Sequence, residues 1–314
     1  MIEKKEVKNM DMYQKRKIRA EKKNNDSQKS FSKVPISWYP GHMAKTKREI
    51  KEKLPLIDVV YEVVDARMPI SSKVIDIDDI IKNKPRILIM TKYDMCDKSQ
   101  TDKIIKYYKD KGYSVVPVDL IKNTNVNLII KETSKVSDII NVERKKKGLK
   151  PKQSVRALVI GAPNVGKSTL INRLVGKKKT VTGNKPGVTK QLSWIRVGSN
   201  IELLDTPGIL WPKLENQEHA YNLAALSSVK EEVVDLQDLS IYILHKLNEL
   251  YPNYLEKRYG ITTVSDDIIT TLEEIGNRRG AKISGGEIDY DKVYSIIIRD
   301  LKEGLIGPIT LDRL

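Results

Sequence analysis

The chain predicts an α/β fold, a mostly parallel sheet covered by helices on both faces, followed by an all-helical C-terminal domain. Three observations carry this expectation. The runs Asp58–Val64, Arg86–Met90, Ser114–Val118, Val155–Ile160 and Ile201–Leu204 are short and β-branched, and most are apolar along their length, as strands buried on both faces are. Helical patterns at Lys45–Lys53, Thr101–Lys111 and Ser168–Leu174 lie between several of them, and such alternation suits parallel crossovers. After about Leu214 the strand signal fades. Asn216–Ser227, Leu236–Leu250, Asp266–Ile275 and Asp291–Lys302 then read as helices, punctuated by Gly276, Gly280, Gly285, Gly286 and Gly304.

The 314 residues suffice for two domains. The expected division is a basic arm over 1–34, a sheet domain over 35–213 and a helical domain over 214–314. Net charge is +16 and unevenly placed: +6 over residues 1–34, +16 over 35–212 and −6 over 213–314. The basic two-thirds favours a polyphosphate partner such as RNA. Glu143–Lys152 reads as a basic connector outside any element. No apolar run is long enough to span a bilayer, and the charged N-terminus has no secretory pattern. The single cysteine, Cys96, cannot form an internal disulfide. These features point to a reducing, cytoplasmic setting.

Gly161-Ala162-Pro163-Asn164-Val165-Gly166-Lys167-Ser168 matches G-x-x-x-x-G-K-[ST]. It follows the strand Ala157–Ile160 and opens the helix Thr169–Leu174, so loop amides and the helix N-terminus can wrap a phosphate tail. Asn164, Val165, Gly166, Lys167, Ser168 and Thr169 are the expected contacts. Lys167 would neutralise the β and γ phosphates, and Ser168 would ligate Mg²⁺. Asp205-Thr206-Pro207-Gly208 follows the strand Ile201–Leu204. Asp205 is expected to hold Mg²⁺ through water, and the Gly208 amide to meet the γ-phosphate where a side chain would crowd it. Between these motifs, Lys185–Thr189 offers the Thr189 hydroxyl to the metal only when the γ-phosphate is present, which makes that loop a switch.

Thr91-Lys92-Tyr93-Asp94, after the strand Ile87–Met90, resembles N-K-x-D with Thr for Asn. The Asp94 carboxylate accepts from N1–H and the 2-amino group of guanine, whereas adenine leaves it unpaired, a mismatch worth about 10⁴-fold in selection. Lys92 would lay its methylenes along the base. One hydroxyl at Thr91 cannot reproduce both faces of an Asn amide. A second base contact falls at Asp119 and Leu120, after the next strand, without the usual Ser-Ala. The predicted ligands are GTP and GDP with Mg²⁺, and Asp94 disfavours an ATPase.

The base motif precedes the phosphate loop by some 70 residues, the reverse of the usual order. A parallel sheet tolerates this because every site loop lies at a strand C-terminus. With this permuted order, the segments Trp38–Lys45, Asp65–Pro69, Asn164–Thr169, Lys185–Thr189 and Asp205–Lys213 resemble the ribosome biogenesis GTPase A family. The likeness spans residues 35–314, including Arg279-Gly280, Gly285-Gly286, Asp289 and Gly304–Gly307. It implies GTP hydrolysis coupled to late assembly of the bacterial large ribosomal subunit, with rRNA and ribosomal-protein contacts. It also implies an RNA-binding helical domain. Because that region is net acidic, contact would fall on a local patch such as Arg278, Arg279 and Lys282. Ile209 stands where ordinary GTPases place a water-orienting Gln. The resemblance points instead to His42, and to Asn164 as a K⁺-holding residue. Slow turnover stimulated by ribosomal particles, in a monomer, is expected. Two other readings stay open on sequence: a GTP-gated module acting on tRNA or a membrane-associated partner, and an RNA-binding scaffold with little turnover.

Overall fold

The computed structural model describes residues 41–74, 77–81, 84–176, 192–208, 216–226 and 234–314, without the side chains of 41–44 and 77–78. It divides into two compact units, and each is treated by itself.

The first unit holds a sheet of six strands among the described residues: β1 Val59–Asp65, β2 Arg86–Thr91, β3 Ser114–Pro117, β4 Val155–Ile160, β5 Ser193–Val197 and β6 Ile201–Asp205. Their order is β3-β2-β1-β4-β6-β5, parallel except for the antiparallel edge pair β5–β6. Its described helices are α1 Gly41–Lys53, α2 Ile77–Ile81, α3 Lys98–Asp110, α4 Val126–Lys146, α5 Lys167–Val175 and α6 Gln217–Ala225. Central β1 is buried at all seven positions, because helices cover both faces of a parallel sheet. Each fully buried Val or Ile there contributes about 1.5–3 kcal/mol.

Strand β1 also carries Glu62, wholly buried and ion-paired to Lys73 at 3.4 Å and Arg86 at 3.1 Å. Both cations lie over the Tyr113 ring. Burial pushes the Glu62 carboxyl up, and the two cations oppose that shift. Cys96 is buried in the cluster of Val64, Leu88, Met90 and Ile104, and burial pushes its thiol up to about 11.

Three features of the fold depart from what the sequence predicts. Residues 143–146 are not connector but the last turn of the 21-residue helix α4. That helix is held by buried Val126, Ile129 and Thr133, with Tyr61 Oη 2.5 Å from Thr133 Oγ1. The following basic segment folds back onto it, the Lys152 amide donating to Asn141 Oδ1 at 2.8 Å and Lys152 Nζ pairing with Asp58. The edge strand β5 was not foreseen. Finally, the unit boundary lies well past 213. Helix α6 and residues 308–314 belong to the sheet unit, and the helical unit spans 234–307. Asn222 of α6 explains part of this, since its Nδ2 donates to Ser71 Oγ at 3.1 Å and to Asp312 Oδ1 at 3.2 Å.

The helical unit comprises α7 Leu236–Leu250, α8 Pro252–Tyr259, α9 Ile268–Arg279 and α10 Tyr290–Lys302. Asp235, Asp267 and Asp289 cap α7, α9 and α10 through side-chain oxygens on first-turn amides. Leu244, Leu247, Ile269, Leu272, Val293 and Ile297 form the core. Buried Asp300 accepts from Arg258 Nε at 2.8 Å and Tyr259 Oη at 3.2 Å. Arg279 donates to the Arg258 carbonyl at 3.0 Å and lies over the Tyr259 ring. Of the basic patch expected here, only Arg278 and Lys282 are exposed, while Arg279 is engaged within the unit.

Candidate nucleotide-binding site

The loops after β1, β2, β4 and β6 meet at the C-terminal end of the sheet. Residues 161–166 link β4 to α5. Gly161 has φ +156°, and a Cβ there would lie 2.3 Å from the Val63 carbonyl oxygen, so only glycine lets this loop lie against β1. A Cβ on Gly208 would lie 2.7 Å from Pro163 Cα. The motif after β6 therefore presses on the phosphate loop, and the crowding comes from Pro163 itself. Thr206 Oγ1 donates to the Val159 carbonyl at 2.7 Å and fixes that approach.

Lys167 is buried and donates to the carbonyls of Gly161 at 3.0 Å and Ala162 at 2.7 Å. Burial draws its pKa down to about 8, against the pull of Asp205. Its neutral acceptors are exchangeable for the charged oxygens of a polyanion, which bind an ammonium more strongly. Asp205, at the end of β6, is 1% exposed, and neither carboxylate oxygen meets a hydrogen-bond partner among the described residues. Burial pushes its pKa up to about 6, with Lys167 opposing. A buried carboxylate without donors is costly, and a hydrated divalent cation supplies what it lacks. The donor set of Asp205 and Ser168, the second residue of α5, therefore fits Mg²⁺.

This has a measurable consequence for the free protein. The folded chain binds the Asp205 proton more tightly than the unfolded chain does, so this group lowers stability as pH rises from about 4 through 6. Asp205→Asn is expected to stabilise the metal- and nucleotide-free protein by about 1–3 kcal/mol at pH 7 and by little at pH 4. Urea unfolding at the two pH values measures it, and a gain independent of pH would contradict the assignment.

The base loop follows β2. Thr91 is fully buried, and its Oγ1 lies against the carbonyls of Val64, at 3.1 Å, and Val165. The hydroxyl thus ties the end of β2 to the phosphate loop. Lys92 has φ +56°, and its Nζ donates to Asp65 Oδ2 at 2.8 Å and to the Asn164 carbonyl at 3.0 Å. With its ammonium anchored at both ends of this bridge, its methylenes form a fixed ledge. Asp94 is exposed and makes no hydrogen bond to the described residues. The next loop lies beside it, the Tyr93 amide donating to the Val118 carbonyl at 3.3 Å. There Asp119 Oδ1 accepts from the amides of Ile121 at 2.8 Å and Lys122 at 2.9 Å, so that carboxylate closes its own turn, and Leu120 is buried.

In the sequence, Asp65 and Arg67 stand out only as family marks. In the fold they are part of the site's frame. Asp65 Oδ1 accepts from Arg67 Nε at 3.0 Å and Oδ2 from Arg67 Nη2 at 2.9 Å, while Lys92 pairs with the same carboxylate. Burial alone would raise the Asp65 pKa, but the Arg67 and Lys92 charges hold it well below the usual carboxylate range. The available signal was an acidic residue ending a strand whose every position is buried. Thr189 and Ile209–Lys213 lie outside the described residues, as does the side chain of His42, whose backbone falls in the first turn of α1.

Known proteins resemble this chain in sequence and in fold. A family model described as 50S ribosome-binding GTPase matches residues 156–279. It begins in β4 and leaves the base loop outside, as the permuted order requires. Ribosome biogenesis GTPase A of Priestia megaterium is 43% identical over 279 residues, covering 89% of this chain and 97% of that protein. The chain belongs to the ribosome biogenesis GTPase A family. The Bacillus licheniformis member is 44% identical over 278 residues, covering 88% of this chain and 98% of its own. In fold, the GDP-bound structure of TM YlqF matches with a TM-score of 0.61 at 24% identity, over 85% of this chain and 99% of that one. The chain is accordingly a GTP-hydrolysing P-loop enzyme acting in ribosome biogenesis, a member of the ribosome biogenesis GTPase A family with circularly permuted motifs. No helix among the described residues is long and apolar enough to cross a membrane.

Proposed function

We propose that the enzyme binds GTP with Mg²⁺ and uses its hydrolysis to leave a precursor of the large ribosomal subunit late in assembly, in the cytoplasm. The orphaned carboxylate of Asp205 beside the phosphate loop is the observation that carries this reading. Asn164–Thr169 and the Gly208 amide wrap the phosphates. Ser168, Thr189 and Asp205 hold Mg²⁺, which when bound neutralises charge on the β and γ oxygens. Asp94 reads the guanine edge, Lys92 supports its face, and Thr91 holds their loop against the phosphate loop. Asp119 and Leu120 contribute at most a backbone contact, since the Asp119 carboxylate closes its own turn.

The apolar Ile209 leaves the attacking water without a side-chain partner at the usual place, and the family resemblance points to His42, whose imidazole can orient water or take a proton near neutral pH. Asn164 is the candidate K⁺ residue. The basic sheet unit and the 1–34 arm supply attraction to rRNA, and exposed Arg278 and Lys282 offer local contacts on the acidic helical unit.

GTP turnover measured with purified large-subunit precursors, in potassium and in sodium, tests the proposal. Turnover that the particles do not raise would count against the ribosomal assignment. His42→Ala is expected to lower particle-stimulated turnover by about 10²–10⁴-fold with GTP affinity nearly intact. Undiminished turnover in that variant would remove His42 from the mechanism.

A further inference from the structure

We propose that residues 308–314 are a positioning element of the guanine-reading loop, with Thr310 and Asp312 as its fixing points. The chain leaves the helical unit at Gly307 and returns to the sheet unit. There Ile309, Thr310, Leu311 and Asp312 are each at most 4% exposed. They cross the two loops that frame the base site. The Ile309 amide donates to the carbonyl of Met95, the residue after Asp94, at 3.2 Å. Thr310 Oγ1 lies 3.2 Å from the Asp97 carbonyl and 2.8 Å from Thr101 Oγ1, which itself donates to the Ala66 carbonyl at 3.0 Å. The Leu311 amide donates to the Arg67 carbonyl at 2.7 Å. Asp312 then anchors the strap, its carboxylate accepting from the amides of Ile70 at 2.6 Å and Ser71 at 2.9 Å, from the Ser71 hydroxyl, and from Asn222 Nδ2.

These bonds engage main-chain carbonyls on both sides of Asp94's support. Met95 directly follows Asp94 and Asp97 lies three residues on, while Arg67 clamps Asp65, the partner of Lys92. The strap therefore sets how far the Asp94 carboxylate can move from the purine edge. Its bonds named above fall on the loops after β1 and β2, on Thr101 and on Asn222 rather than on residues 161–168. Its effect falls on base recognition, and the phosphate grip is left to Lys167 and its neighbours. Strap residues act through the loop and touch no substrate.

The inference rests on Asp94 as the guanine reader, and the experiment separates the two. The full chain and its Thr310→Val, Thr310→Ser and Asp312→Asn variants are titrated calorimetrically with GDP and with inosine diphosphate, which lacks the 2-amino group. Circular dichroism melts confirm that each variant folds. Wild type is expected to prefer GDP. Thr310→Val keeps the shape and removes the hydroxyl, so its preference narrows by about fivefold. Thr310→Ser restores the preference, and Asp312→Asn narrows it independently. A preference unchanged in folded Thr310→Val and Asp312→Asn, or both affinities falling in equal proportion, overturns the strap's role and leaves Asp94 standing. A wild type that does not distinguish the two nucleotides overturns the Asp94 reading, and the strap's role with it.

Discussion

Lys167→Ala is expected to weaken GTP binding by about 2–5 kcal/mol, the range for truncating one partner of a desolvated charge pair, or roughly thirty- to several-thousandfold. The side chain is buried, points at carbonyls that a phosphate tail would replace, and is held near pKa 8 by desolvation. In the free protein it is an expensive cation. Its removal should leave the fold intact or slightly firmer, as at sites where function opposes stability. Fluorescent-nucleotide titration together with urea unfolding checks both halves. Tight GTP binding by a folded variant would remove the phosphate loop from the account, and loss of binding through unfolding would show the lysine to be structural.

The largest stability effect is expected at Asp65→Asn. The carboxylate is fully buried and holds Arg67, itself 2% exposed, together with Lys92. Removing its charge leaves a buried guanidinium with half its partner, a change that costs about 3–5 kcal/mol. Because the folded pKa is depressed, this contribution is complete above the ordinary carboxylate range and fades only as pH falls well below 4. The variant should also loosen Lys92 and weaken GDP binding. The double variant Asp65→Asn/Arg67→Met, which removes the stranded charge, should recover part of the lost stability. An unfolding free energy from urea at neutral pH that changes by less than about 1 kcal/mol would show that the pair contributes no more than a surface ion pair does.

The sheet and the phosphate loop were legible because their signals are local. A β-branched strand, a glycine loop and a helix start occupy consecutive positions, and Val155–Thr169 carries all three. Asp205 and Gly208 read by the same logic from the strand Ile201–Leu204 that precedes them. The parts not read depend on contacts distant in sequence. Strand β5 is a sheet edge with Ser193 and Trp194 exposed, so it lacks the continuous apolar run of its neighbours. The end of α4 looked like a connector because its last turn is Arg144-Lys145-Lys146, which favours a helix C-terminus but carries no apolar period. Thr91 appeared a weak substitute for Asn. Its value lies in a bond to Val165, 74 positions away. Ile309–Asp312 has neither helical nor strand partners in sequence, and only the fold shows what it crosses. His42 and Thr189 were legible as motif members, and their roles stand as proposals.

Asp94 is expected to select guanine while the phosphate loop holds the tail. Isothermal calorimetry of the full chain in Mg²⁺, with GDP and ADP on wild type and Asp94→Ala, tests it most directly. Wild type should take up GDP about 10⁴-fold more tightly than ADP, and Asp94→Ala should lose most of that margin while keeping residual affinity for both. ADP competing equally on wild type, or Asp94→Ala retaining full guanine preference, would contradict it.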